Sequence, residues 1–140
     1  MIAELSSVAI GGALGALTRF GLLSWAFARR SLAGRRWDGA ARSTFLANVI
    51  GCAVFGLWTV SARGDFLDEI ELIQLQSDAS VLFDLFILTG FCGGLTTFST
   101  AVADGVRLRA VRSAAASLGY AAATCAAGLL VLWLGLRFGA

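Results

Sequence analysis

Along the chain the apolar residues gather in four long blocks, near 5–27, 43–62, 81–102 and 113–136, separated by short polar and charged stretches. Each block is close to the roughly 20 residues that a helix needs to cross a bilayer. In hydrocarbon every backbone polar group must bond within its own segment or in a closed barrel, and four uniformly apolar blocks are too few for a barrel. The pattern therefore predicts an all-α integral membrane protein, one four-helix domain over residues 1–140. The first block has no basic stretch before it and is too long for a cleavable signal, so it is expected to stay as a helix.

Composition sharpens the class. The chain is 58% hydrophobic, with neither proline nor histidine, well above the roughly 45–50% apolar usage of soluble domains. The three connections then differ in charge. The first carries Arg29, Arg30, Arg35, Arg36 and Arg42 against Asp38, and the third carries Arg107, Arg109 and Arg112 beside Asp104. The second is acidic, with Asp65, Asp68, Glu69, Glu71, Asp78 and Asp84 against Arg63, and its Phe66, Leu67, Ile70 and Ile73 suggest a short interfacial helix. Arginine bias over short loops places the first and third connections in the cytoplasm and both termini outside. Trp25, Trp58 and Trp133 fall near helix ends and Trp37 in the first loop, as the interfacial preference of indole requires. Cys52, Cys92 and Cys125 lie one to a helix, which suggests packing residues and no CxxC metal site.

Candidate chemistry is confined to the spans. The first helix has Gly11, Gly12 and Gly15, whose spacing allows close helix packing, and then Arg19. A guanidinium inside an apolar span costs about 2.5–3.5 kcal/mol on insertion scales, so it either snorkels to the interface or marks a pathway. Asn48 of the second helix needs partners in hydrocarbon, and it either bridges helices or lines a wet route. The third helix runs Gly90-Phe91-Cys92-Gly93-Gly94-Leu95-Thr96-Thr97-Phe98-Ser99-Thr100. Each glycine costs about 1 kcal/mol of helix propensity relative to alanine, so a break at mid-membrane is expected. Freed carbonyls there suit a hard cation such as sodium, and the N–H end of the next half-helix suits an anion. The alternative is close glycine packing with hydroxyls bonded to the preceding turn. Tyr120, Thr124 and Gly128 form one stripe on the fourth helix, either a polar track or core packing.

These segments carry a resemblance. The run from Gly11 to Arg19, the segment Thr44-Phe45-Leu46-Ala47-Asn48-Val49-Ile50-Gly51, and Gly90 through Thr100 resemble the Fluc (CrcB-type) fluoride channels over essentially the whole chain. The resemblance implies an antiparallel dimer of four-helix subunits in a bacterial plasma (inner) membrane, exporting fluoride from the cytoplasm and lowering its toxicity. It also implies a central structural sodium ion, with Gly93 and Thr96 giving backbone carbonyls. Asn48, Phe98, Thr97, Ser99, Tyr120, Thr124 and Arg19 are then the expected fluoride-pathway residues, Phe98 through the positive edge of its ring. The expected partners are fluoride, the lipid bilayer and a second channel subunit, either the same chain or an oppositely oriented paralogue, and no nucleic acid.

The chain departs from the family pattern where Ala101 and Val102 stand for a phenylalanine and a serine, where Gly128 replaces a hydroxyl residue, and where Asp104 replaces a glutamate. Those departures keep open a second reading, a partner subunit of a heterodimeric channel with one degraded pore. A small multidrug transporter is the rival from another class, but it needs a titratable carboxylate at mid-membrane, and Glu4, Asp84 and Asp104 are read outside or at the ends of spans. An enzyme is not expected, since the spans hold no histidine, no paired carboxylates and no cysteine with a base.

Overall fold

The computed structural model describes residues 1–30, 36–67 and 78–138, and they are almost wholly helical. Helix α1 runs Ile2–Arg30 and α2 runs Arg36–Leu67. The third run opens with α3, Asp78–Asp84, widens into π-helical geometry over Leu85–Cys92, and tightens into the single turn of α4, Gly93–Leu95. Thr96 (φ −79°, ψ 154°) and Thr97 (φ −157°, ψ 116°) are extended, and α5 takes up helical geometry from Phe98 to Val111. Helix α6, Ala114–Phe138, completes the bundle. The stretches long and apolar enough to cross a membrane are Ile2–Ala26, Ala40–Ser61, Ala79–Val111 and Ala114–Arg137. The chain is a multi-pass membrane protein.

Every helix outruns the apolar block that predicts it, because backbone hydrogen bonding continues past the point where side chains turn polar. The correction matters most at the third block, expected to end near residue 102. Helix α5 continues to Val111, so Asp104, Arg107 and Arg109 are helical residues, and only Arg112 and Ser113 connect it to α6. The proposed interfacial helix is also redrawn. Phe66 and Leu67 belong to α2, whereas Ile70 and Ile73 lie outside the described residues.

Helix α1 packs along the third run through glycines on both sides. A Cβ at Gly11 would strike the Phe86 carbonyl, one at Gly15 the Phe91 carbonyl, and one at Gly94 the Gly12 carbonyl. Without a hydrophobic driving force between helices in lipid, such backbone approach is what holds them, by dispersion over a close seam. Helices α2 and α6 meet in the same manner at Gly56 and Gly135. A polar tie joins α2 to α3, where Trp58 Nε1 donates to Asp84 Oδ1 at 2.8 Å. Trp58 is thus engaged within the protein, in addition to standing near a span end.

Candidate functional site

The junction between α4 and α5 is shaped by side chains that take over the work of the helical ladder. Thr96 N–H still donates to the Cys92 carbonyl at 2.9 Å. The next donor, Thr97 N–H, turns instead to Asn48 Oδ1 at 2.9 Å, across to α2. Thr100 N–H donates to Thr97 Oγ1 at 3.3 Å, which makes Thr97 the N-cap of α5, and the first backbone bond of that helix is Ala101 N–H to the Thr97 carbonyl at 3.4 Å. Among the described residues, the carbonyls of residues 93–96 therefore lack the N–H partners they would have in a continuous helix. Among the described residues the N–H groups of Phe98 and Ser99 have no acceptor at the N-terminus of α5, the end that favours negative charge.

Asn48 is the hinge of this arrangement. A backbone N–H can only donate, so the Asn48 oxygen must face Thr97, and the amide NH2 is the group left over. Among the described residues it has no acceptor. Thr96 is fixed at both ends of its side chain: Oγ1 donates to the Cys92 carbonyl at 2.8 Å, and its methyl group fills the space beside Gly51. Thr97 Oγ1 also donates to Thr100 Oγ1 at 3.1 Å and lies 3.3 Å from Ser99 Oγ. Phe98 projects outward, 84% exposed. Gly93 is open as well, since a Cβ there would meet nothing within 4 Å.

A second polar group lies along α2, α5 and α6. Asp104 is 2% exposed and accepts from Thr44 Oγ1 at 2.7 Å, with Arg107 Nη1 at 3.6 Å from its other oxygen. Tyr120 Oη is buried close to the Thr124 and Thr44 hydroxyls and to Asp104, and among the described residues it makes no hydrogen bond of good geometry. The Thr124 hydroxyl donates to the Tyr120 carbonyl at 2.8 Å, so only its lone pairs are left over. Where α6 has Gly128, Cys52 Sγ lies 3.2 Å from the position a Cβ would take. Arg19 is half-buried on α1, with no ion pair among the described residues.

The structure thus brings Asn48 to Thr97, Thr96 and Ser99, and it sets Tyr120 near Thr124. The Phe98 side chain and Gly93 are exposed on one chain, and no hydrogen bond or ion pair among the described residues ties Arg19 to either group. Sequence reasoning missed the Thr44–Asp104 pair because it assigned Asp104 to a loop. The available signal was spacing: Thr44 is four residues before Asn48 and Asp104 four after Thr100, so each extends a polar stripe by one helical turn.

The chain is similar to known proteins over most of its length. The family model described as CrcB-like protein, Camphor Resistance (CrcB), matches residues 6–136. The "Fluoride-specific ion channel FluC 2" of Rhodococcus jostii is 40% identical over 135 residues, 93% of each chain. The "Fluoride-specific ion channel FluC" of Rhizobium johnstonii is 37% identical over 134 residues, covering 89% of this chain and 92% of its own. That of Pseudomonas putida is 34% identical over 140 residues, covering 97% and 96%.

Proposed function

The chain belongs to the CrcB family, and from that membership we propose that it is a fluoride-specific ion channel of a bacterial plasma membrane, passing the anion outward and making or breaking no covalent bond. The observation that carries the proposal beyond family is the Thr97 N–H to Asn48 Oδ1 bond. It commits the amide oxygen and leaves the NH2 donor for an anion, beside the open N–H groups of Phe98 and Ser99. Fluoride is small and strongly hydrated, so it gives up water only where several such donors replace it. Tyr120 Oη is a further donor of this kind. Thr124, Thr97 and Ser99 would each have to turn a hydroxyl away from its present partner, and Arg19 supplies positive charge from α1. The exposed Phe98 ring offers its edge to an anion held partly by a second subunit.

A dimer suits this geometry, because Gly93 and Phe98 face outward from one chain. Antiparallel pairing would bring two α4–α5 junctions together. The carbonyls of Gly93 and Thr96 lack helical donors and would hold a sodium ion there, and its fixed charge would offset the facing carbonyl dipoles. Ala101, Val102 and the arginine bias favour a second reading, in which the partner is an oppositely oriented paralogue and one of the two pores has decayed.

Purified chain in liposomes, followed with a fluoride electrode, tests the proposal. Fluoride efflux well above that of protein-free vesicles is expected, with chloride efflux at background. Equal chloride and fluoride fluxes would overturn it. Flux only after co-reconstitution with a paralogue would select the second reading.

A further inference from the structure

At the arginine-rich end of the bundle a groove of about 180 Å³ runs between α2, α5 and α6, lined by Ala41, Arg42, Phe45, Leu108, Arg112 and Tyr120. Its composition is divided. Phe45, Leu108 and the Tyr120 ring give an apolar wall, whereas Arg42 and Arg112 are exposed cations. Tyr120 reaches past the groove, since its hydroxyl is buried. Asp104 of α5 is taken up elsewhere: it is 2% exposed, bonded by Thr44 and paired with Arg107.

The groove also has a definite depth. Arg42 stands in the first turn of the span that begins at Ala40, and Arg112 stands between the span ending at Val111 and the one beginning at Ala114. Both guanidiniums are therefore at the level where hydrocarbon gives way to headgroups, while Phe45 and Leu108 lie about one turn deeper. An occupant must be anionic at the arginine level and apolar below it.

We propose that this groove binds an anionic glycerophospholipid, with its phosphate held by Arg42 and Arg112 and the start of an acyl chain lying on Phe45, Leu108 and the ring of Tyr120. Guanidinium is suited to the headgroup because its donor fork matches two phosphate oxygens at once. Basic pockets between membrane helices recognise such headgroups by this combination of charge and depth.

The test uses the full-length protein released from vesicles of phosphatidylglycerol and phosphatidylcholine in equal amounts, with retained lipid read by native mass spectrometry. Phosphatidylglycerol should be retained preferentially, and Arg42→Gln and Arg112→Gln should each weaken retention about fivefold. Arg137→Gln, near the far end of α6, should leave it unchanged. Wild-type protein alone can overturn the proposal, by retaining both lipids equally, so it stays falsifiable even where a glutamine variant fails to fold. Arg42→Lys/Arg112→Lys keeps the charge and should retain phosphatidylglycerol more weakly than wild type, because the fork is lost. If glycerol phosphate displaced the bound lipid at equal concentration, the groove would be a soluble-anion site and the lipid assignment would fail.

Discussion

The proposed function gives Asn48 two separable tasks, one for each end of its amide. Its oxygen receives Thr97 N–H at 2.9 Å, and its NH2 is the donor assigned to fluoride. Asn48→Asp keeps an acceptor for Thr97 but removes the donor and adds a negative charge. We expect that variant to retain most of its thermal stability in detergent while fluoride efflux falls to background. Asn48→Ala should lose flux and stability together, because a buried N–H without an acceptor costs about 1–3 kcal/mol. A stable Asn48→Ala protein conducting normally would remove Asn48 from the pathway. The carbonyls and side chains of the junction separate in a similar way. Thr96→Ser should be mild because the bond from Oγ1 to the Cys92 carbonyl survives. Thr96→Ala loses that bond and the methyl contact with Gly51, and a drop in melting temperature is expected with any residual flux still selective for fluoride.

Between elements, two seams of glycine carry packing that no larger residue can replace. Gly15→Ala and Gly94→Ala would each force α1 away from the third run, since the new methyl group meets backbone that cannot swing aside. Overpacking of this kind costs about 1–3 kcal/mol. Gly21→Ala is the control, because nothing lies within 4 Å of it, and alanine there should be neutral or stabilise the helix by up to about 1 kcal/mol. Thermal unfolding in detergent, with equal losses at Gly15 and Gly21, would dismiss the seam. Gly93 is the informative exception. Its φ of −63° is ordinary helix and its surroundings within the chain are open. Gly93→Val should therefore spare the folded subunit and weaken assembly, read as a shift from dimer to monomer on a sizing column. Loss of folded protein at every concentration would place the constraint inside the chain instead.

For the whole molecule the distribution of arginine is the strongest asymmetry. Arg29, Arg30, Arg35, Arg36, Arg42, Arg107, Arg109 and Arg112 fall in sequence between the first and second or the third and fourth apolar blocks, Arg63 and Arg137 follow the second and fourth, and the chain has no lysine. Cationic bias near span ends sets orientation. We expect most copies to insert with both termini outside, as measured by impermeant thiol labelling of a cysteine in an N-terminal tag on intact cells. An antiparallel assembly would then need a partner of opposite bias. Equal labelling from both sides, with fluoride flux from this chain alone, would make the homodimer sufficient.

Much of this architecture is legible in the amino-acid sequence. Four apolar blocks of bilayer length dictate four spanning helices, because the cost of exposing peptide groups to hydrocarbon leaves no other solution. The glycine spacing at Gly11 and Gly15 announced a close helix seam, since only a missing side chain lets backbones meet. Other features depended on residues far apart in the chain. That Thr97 N–H turns to Asn48, 49 residues away, is decided by how α2 lies against the junction. The same holds for Thr44 and Asp104, 60 residues apart, whose hydroxyl and carboxylate meet only because α2 and α5 pack together. The π-helical turn at Leu85–Cys92 left no trace in the hydrophobic pattern, because every residue of an apolar run reads alike whichever carbonyl its N–H selects. Periodicity and composition report how each segment meets its solvent, and here they determined the class, the spans and the candidate stripe. Which donor meets which acceptor across the bundle is a matter of helix placement, and only the tertiary structure decided it.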